Sequence, residues 1–280
     1  MADGERFLMA GVMGWPVLHS RSPLLHNHWL AERGLKGVYV PLEIKVENLA
    51  AALRALPALG FSGCNLTIPH KIEALKIVDA VDPVAARIGA INCVAVNADG
   101  ALDGFNFDAW GFVESVAERA PGWRAGAGPA VVLGAGGGAR AVVDGLLQRG
   151  ATEIRVANRT LDRAEDLRAR FGSAIRPVAW TDRARALAGA AMLVNTTSQG
   201  MKGQDPLDLA LEALPTTALV CDIVYVPLET ELLRQARARG NPTVDGLGML
   251  LHQARPAFQK WFGDLPTVTP ELRAKIEATL

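Results

Sequence analysis

A glycine run and four polar clusters interrupt the apolar stretches of this chain, and each carries side chains able to bind an anion or to handle a proton. The run is Val132-Leu133-Gly134-Ala135-Gly136-Gly137-Gly138-Ala139-Arg140, an apolar segment followed by Gly-x-Gly-x-x-Ala and then by helix formers. Glycine at 134 permits a tight turn, and glycine at 136 lets backbone approach a pyrophosphate. A small residue at 139 lets the following helix pack on the strand with its N-terminus toward the anion. About twenty residues on, the apolar Ile154-Arg155-Val156-Ala157 ends in Asn158-Arg159-Thr160. A cofactor with a bare ribose 2′-hydroxyl meets an acid at that place. Here it holds Arg159, with Arg163 four residues later, and a guanidinium pair suits a phosphorylated ribose. The expected cofactor is therefore NADP rather than NAD. The same glycines would serve an ordinary strand-to-helix turn; the strand before, the helix after and the basic end of the second strand favour the dinucleotide.

The four polar clusters each allow two readings. Ser20 and Ser22 in Gly14-Trp15-Pro16-Val17-Leu18-His19-Ser20-Arg21-Ser22-Pro23 are either hydroxyls that bind a carboxylate at a helix start, or a cap, with Ser22 at N-cap and Pro23 at N1. In Asn65-Leu66-Thr67-Ile68-Pro69-His70-Lys71, Thr67 and Lys71 project from a strand end. A lone lysine is usually solvated, but one at the carboxyl end of a parallel strand stands where open α/β sheets bind ligands. The amide of Asn92, in Gly89-Ala90-Ile91-Asn92, either binds a ligand hydroxyl or closes its own strand. Asp108, after Gly104-Phe105-Asn106-Phe107, is either a reactive acid or the N-cap of the next helix. A polar pair, His252-Gln253, also follows Gly246-Leu247-Gly248-Met249-Leu250-Leu251.

The elements that must position these side chains follow from apolar periodicity and turn residues. The first third reads as strands at 7–14, 37–44 and 63–68, with helices at 23–33 and 46–55 and one beginning at 72–78. A hairpin over 90–106 turns at Asn97-Ala98-Asp99-Gly100. This alternation predicts a mainly parallel sheet covered by helices. After a helix over 109–119, strands at 130–133, 154–157, 191–194 and 218–222 with helices between them predict a doubly wound dinucleotide fold, and helices at 250–262 and 270–279 close the chain. Length allows two domains, and Lys plus Arg and Asp plus Glu both number 29, so no basic excess points to nucleic acid or an anionic membrane. No stretch is long and apolar enough to span a bilayer, and Met1-Ala2-Asp3-Gly4-Glu5-Arg6 does not read as a signal peptide. Cys64, Cys93 and Cys221 each adjoin an apolar run, as small buried residues do in a reducing compartment, and the expected location is the cytoplasm. The histidines at 19, 26, 28, 70 and 252 form no ligand pattern, so no metal is expected.

Taken in order, these segments resemble the shikimate dehydrogenase family. The likeness runs through Gly14-Trp15-Pro16, His19 to Pro23 and His26-Asn27, then Asn65 to Lys71, Gly89 to Asn92, and Asn106-Phe107-Asp108. It continues through Gly134 to Arg140, Asn158-Arg159-Thr160, Asn195-Thr196-Thr197-Ser198 with Gly200-Met201, Asp222-Ile223-Val224-Tyr225, Gly246 to Met249 and His252-Gln253. The resemblance implies an N-terminal α/β substrate domain (1–107 with 247–280), a doubly wound Rossmann NADP-binding domain (108–246), and C-terminal helices returning to the substrate domain. It implies a reversible oxidation of shikimate to 3-dehydroshikimate, a step of chorismate and aromatic amino acid biosynthesis. Lys71 and Asp108 would be the catalytic pair. Ser20 and Ser22 would hold the substrate carboxylate, and Thr67, Asn92 and Gln253 ring hydroxyls or the carboxylate, with Tyr225, Lys71 and Asp108 also on the substrate. Gly134, Gly136, Gly137, Gly138, Ala139, Asn158, Arg159, Thr160, Arg163, Thr196, Gly246 and Met249 would hold NADP. The expected partner is a small molecule, with neither nucleic acid nor membrane, for a monomer or homodimer.

The family usually reads Asn-Thr-Asp-Gly where this chain has Asn106-Phe107-Asp108-Ala109. Phe107 replaces a small polar residue beside the acid and can reshape the pocket. A broader quinate/shikimate dehydrogenase, or a dehydrogenase of a shikimate analogue, therefore stays open. Ser22, where quinate-using relatives often carry threonine, favours shikimate. A non-catalytic NADP-binding sensor is a third reading, but a sensor has no use for a proton-transfer pair.

Overall fold

The computed structural model describes residues 7–280, so the N-terminal hexapeptide read above lies outside the described residues. The chain divides into two compact units. One contains the residues through Phe107 together with Gln253–Thr279, and the other contains Asp108–His252 and Leu280.

In the first unit the chain runs β1 (Leu8–Gly14), α1 (Ser22–Glu32), β2 (Gly37–Glu43), α2 (Leu49–Ala55), β3 (Gly63–Leu66), β4 (Ala80–Val81), α3 (Pro83–Ile88), β5 (Cys93–Val96) and β6 (Leu102–Phe105). The sheet order is β2-β1-β3-β5-β6-β4. β1 pairs parallel with both β2 and β3, and its apolar run is buried from Ala10 to Gly14, as a central strand covered on both faces must be. β5 runs antiparallel to β3 and β6, so the sheet is mixed. The expected hairpin turn causes that reversal: Asn97 Oδ1 accepts from the Asp99 and Ala101 N–H groups, and Gly100 takes φ +81°.

Two readings of this unit need correction. The helix expected to begin over 72–78 is a single 3-10 turn at Glu73–Lys76, followed by β4 and α3, which the periodicity did not resolve. The signals for α3 are local: Asp82 Oδ1 accepts the Val84 N–H at 2.8 Å, Pro83 opens the helix, and Gly89 closes it at φ +73°. The cap at α1 also differs. Arg21 is the N-cap residue, Ser22 is the first helical residue, and Pro23 follows it. The capping oxygen is that of Ser20, which accepts the Ser22 N–H at 3.2 Å.

The second unit begins with α4 (Asp108–Arg119) and continues β7 (Ala130–Leu133), α5 (Gly137–Gln148), β8 (Ile154–Asn158), α6 (Leu161–Phe171), β9 (Ile175–Ala179), β10 (Met192–Asn195), β11 (Leu219–Asp222), α7 (Glu231–Ala238) and β12 (Thr243–Val244). The sheet order is β12-β11-β10-β7-β8-β9, parallel throughout. That order, stepping outward from β7 to β9 and then returning to β10 on the other side of β7, is a doubly wound nucleotide-binding topology. The two strands missed in the sequence, β9 and β12, are the edges. One contains Pro177 and the other follows Pro242, and proline breaks an apolar pattern while being tolerated at a sheet margin.

α8 (Gly246–Phe262) spans the change-over, which falls at Gln253, where the sequence places it at residue 247. Gly248 lies where a Cβ would collide with Ser115 of α4, Met249 joins the core of the second unit, and His252 Nε2 bonds Glu118 at 2.8 Å. α9 (Pro270–Glu277) ends the fold, capped by Thr269, whose hydroxyl accepts the Leu272 N–H. Among the described residues no helix is long and apolar enough to cross a membrane, and all three cysteines are buried and unpaired.

Candidate functional site

The polar residues of the first unit gather at the carboxyl ends of β1, β2 and β3. Three backbone bonds tie the loops there together: Trp15 N–H to Ile68 O, Ile44 N–H to Gly14 O, and Thr67 N–H to Met13 O. His70, 1% exposed, adds a fourth tie from its Nε2 to Ile44 O at 2.7 Å. β3 ends at Leu66, so Lys71 stands five residues beyond it in a turn, not at the strand end itself. The turn is held from the far side, because the Ile91 N–H donates to Lys71 O at 2.7 Å. Lys71 and Asn92 are thus separated by one backbone bond and one residue.

Asn92 is buried and its amide is oriented by two partners. Its Oδ1 accepts the Phe107 N–H at 2.8 Å, and its Nδ2 donates to Gln253 Oε1 at 3.1 Å. Gln253, 7% exposed, is brought to this point by α8. Beneath lies a network that the sequence reading did not include: Tyr39 Oη donates to Asn65 Oδ1 at 2.7 Å, and Asn65 Nδ2 donates to Asn92 O at 3.0 Å. Burial, with the Cys64 and Cys93 thiols nearby, holds the Tyr39 phenol well above the usual tyrosine range. Tyr39, Asn65, Asn92 and Gln253 therefore belong to one hydrogen-bonded set. Thr67 is half-buried at its edge with its methyl against Gly14. The ring of Phe107 stacks on Phe105 at 5.8 Å and 8°, and the Lys260 ammonium lies 4.3 Å from the Phe105 ring.

In the second unit the glycine run forms the β7–α5 turn. Gly134 takes φ +100°, and a Cβ there would meet Thr196 Oγ1 at 2.9 Å. Thr196 closes this side by giving both its N–H (3.0 Å) and its hydroxyl (2.6 Å) to Leu133 O. Gly136 is the N-cap of α5, and a Cβ there would meet nothing within 4 Å, which leaves open space beside the free N–H groups of the helix start. Gly137 and Gly138 form the first turn, Gly138 against Ile223, and Ala139 is fully buried in the core. These features fit a dinucleotide phosphate: a turn only glycine adopts, an unobstructed helix N-terminus and a small packing residue. At the end of β8, Asn158 Nδ2 donates to Thr160 O at 2.7 Å, which shapes the turn. Arg159, Thr160 and Arg163 are exposed beside it.

Two loops carry the remaining side chains of this unit, and one buried acid ties them. Asp222 accepts from Asn195 Nδ2 (3.0 Å), the Val224 N–H (3.0 Å) and Thr230 Oγ1 (2.7 Å). Asn195 Oδ1 in turn accepts from the N–H and hydroxyl of Thr197. Burial pushes the Asp222 carboxyl up to about 6, against those three hydrogen bonds, which favour the carboxylate. Tyr225 is half-buried three residues on. Gly246 packs where a Cβ would strike the Ile223 carbonyl, and Met249 is 9% exposed. Asp108 is 4% exposed and is the first residue of α4, inside the helix rather than before it.

Two family models match the chain: a shikimate dehydrogenase substrate binding domain over residues 12–94, and shikimate / quinate 5-dehydrogenase over residues 117–205. A relative from Paramagnetospirillum magneticum named shikimate dehydrogenase (NADP(+)) is 55% identical over 266 residues, 95% of this chain and 96% of its own. The chain belongs to the shikimate dehydrogenase family. The solved shikimate 5-dehydrogenase of Thermus thermophilus, in complex with NADP(H) and shikimate, is 40% identical with a TM-score of 0.86, covering 98% of this chain and all of that one. A quinate dehydrogenase of Corynebacterium glutamicum, in complex with NAD, is 31% identical with a TM-score of 0.87, covering 98% of each chain.

Within this family fold, the sequence reading named the residues that face loops and missed those that hold them. Asn65, Asn195 and Asp222 stand inside segments that resemble the family, and Tyr39 stands outside them. A polar residue inside an apolar strand run was the available signal, since a buried polar group needs a partner.

Proposed function

We propose that this chain catalyses the reversible NADP-dependent oxidation of shikimate to 3-dehydroshikimate. The observation that carries the reading is the single hydrogen-bonded set joining Asn65, Asn92 and Gln253, with Lys71 pinned one residue from Asn92. Such a set presents fixed polar groups to a small polyhydroxylated acid. Ser20 and Ser22, at the start of α1, donate to its carboxylate, and Thr67, Asn92, Tyr225 and Gln253 receive ring hydroxyls. NADP, when bound, accepts or returns the hydride. Gly134 to Ala139 receive its pyrophosphate, Asn158, Arg159, Thr160 and Arg163 its phosphorylated ribose, and Thr196, Gly246 and Met249 the nicotinamide end.

Hydride transfer at a carbinol requires a proton to leave the same oxygen. Lys71 and Asp108 are the ammonium and carboxylate that take it. In the reverse direction the same pair returns the proton, and the ammonium stabilises the charge that develops on the carbonyl oxygen.

A second reading, with quinate accepted beside shikimate, is favoured by Phe107, whose ring is drawn back onto Phe105, and by the likeness to a quinate dehydrogenase. The test is the absorbance of the reduced nicotinamide with shikimate or quinate and NADP or NAD. Turnover confined to shikimate with NADP supports the proposal. Comparable efficiency with quinate moves the reading to the broader enzyme, and no turnover with any pair leaves the NADP-binding sensor. We further propose that the enzyme acts in the cytoplasm as a monomer or homodimer on small molecules alone.

A further inference from the structure

Asn195 and Asp222 are the last residues of β10 and β11, and strand register sets them side by side. Asn195 is fully buried and Asp222 nearly so, and the partners they take lie in the two loops that follow. The amide of Asn195 cannot turn over, because a backbone N–H only donates. Its Oδ1 accepts the Thr197 N–H at 3.0 Å and the Thr197 hydroxyl at 2.8 Å. That leaves Nδ2 to donate to Gln199 O at 3.1 Å and to Asp222 Oδ1 at 3.0 Å. Asp222 Oδ1 also accepts the Val224 N–H at 3.0 Å, and its Oδ2 takes the Thr230 hydroxyl at 2.7 Å. Thr230 is buried and is the N-cap residue of α7. One carboxylate thus holds the loop after β10 through Asn195, and both ends of the loop after β11. β10 lies beside β7, where the strand order turns back and where open α/β sheets bind their ligands.

We propose that Asp222 is a positioning residue for the nicotinamide half of the cofactor, holding Thr196 and Gly246 in place through Asn195 and Val224. The proposal rests on the reading that Thr196 and Gly246 receive that half. Thr196 stands between Asn195 and Thr197, the two residues joined by the Asn195 amide. Gly246 packs against the carbonyls of Ile223 and Val224, the two residues after Asp222. A side-chain amide, a backbone N–H and a hydroxyl all donate to the carboxylate, and an acceptor-only group can take all three. Burial works against this charge, so the acid serves loop shape at the expense of stability. Hydride transfer needs the nicotinamide carbon closely aligned, and loops fixed before the cofactor arrives remove an ordering cost from its binding. The adenosine half is assigned instead to the β7–α5 turn and the end of β8, which Gly134 and Asn158 shape locally.

The test is calorimetric titration with NADPH and with adenosine 2′,5′-bisphosphate, a cofactor fragment that lacks the nicotinamide. The variants are Asp222→Ala, Asn195→Ala, the two combined, and Thr196→Ala, each shown to be folded by thermal melts. Asp222→Ala is expected to raise the Kd for NADPH by about tenfold or more, the worth of a hydrogen bond to a charged group, and that for the bisphosphate by less than about twofold. A general loosening of the fold would move both ligands together. Asn195→Ala should act in the same way, and the combined variant should be no weaker than about the larger single effect, because both residues serve one chain of bonds. Should Asp222→Ala fail to fold, Asp222→Asn keeps the two bonds to Oδ1, loses the acceptor for Thr230, and should raise the NADPH Kd alone by about threefold. An unchanged NADPH Kd in the variant that folds, an equal rise for both ligands, or additive effects in the combined variant overturns the proposal. If Thr196→Ala weakens neither ligand, the assignment of Thr196 falls and the proposal with it. If Thr196→Ala weakens NADPH alone while the Asp222 variant does not, only the proposal falls.

Discussion

Lys71 sits in the turn beyond β3 with its carbonyl held by Ile91, so its backbone is fixed by neighbours that do not depend on its charge. Lys71→Ala should therefore leave the fold and NADP affinity intact. Turnover should fall by about 10²–10⁴-fold, the usual contribution of a positioned acid/base. Kinetics on the folded variant check this; near-normal kcat with a raised KM would reduce Lys71 to a binding group and pass the proton to Asp108. Arg159 is exposed at the end of β8, where removing its guanidinium costs no packing. Arg159→Ala should weaken NADP by about ten- to a hundredfold and leave NAD nearly unchanged, because only NADP carries the phosphate it would pair. Equal weakening of both cofactors, measured by titration, would remove the assignment. Phe107 contributes an aromatic face rather than a hydroxyl, so Phe107→Thr should alter the KM for the ring acid more than that for NADP; a change confined to NADP would count against it.

The β10 and β11 ends carry loops whose geometry depends on Asp222. A carboxyl in an unfolded chain releases its proton near pH 4, whereas folded Asp222 releases it at about 6. The folded state holds the proton more tightly, so this group's stabilisation is complete below about pH 4 and is lost as the pH rises through about 6. Wild-type protein should lose about 3 kcal/mol relative to Asp222→Asn between those limits, read from denaturant melts across the range. A constant difference between the two would show that the carboxyl is not shifted. Elements of this kind also mark what the sequence could tell. The β7–α5 turn and the β8 end were legible because glycine and arginine there act on their own local backbone. The hairpin at Asn97–Gly100 was legible for the same reason. Tyr39 and Asp222 were not, because their partners lie across a sheet or a loop, at Asn65 and Asn195, and only strand register brings them together. The Ser22 cap was misread by one position, since Ser20 and Ser22 are equally able to cap and only the backbone course selects Ser20.

At the scale of the whole chain, the C-terminal segment completes the first unit. Trp261, 6% exposed, packs with Val12, Val17 and Tyr39 and donates its indole N–H to Val94 O at 2.9 Å. It also occupies the space that makes Gly63 obligatory, since a Cβ there would strike the indole. Trp261→Ala should destabilise that unit by about 3–5 kcal/mol, through the cavity and the orphaned carbonyl, and calorimetry should register it as an early melting transition. An unshifted melt would mean that the segment docks without bearing on the core.

The three buried thiols, noted so far only as small core residues, amount to a clock for how each half of the chain opens. Cys64 and Cys93 lie in the first unit and Cys221 in the second, and burial raises all three thiols far above the range in which thiolate forms. A water-soluble alkylating reagent cannot reach or react with them while the surrounding strands are closed. Each sulfur is then labelled at the rate at which its own strand is transiently exposed, and mass spectrometry of the labelled peptides would give separate opening rates for the two units from a single unmodified protein.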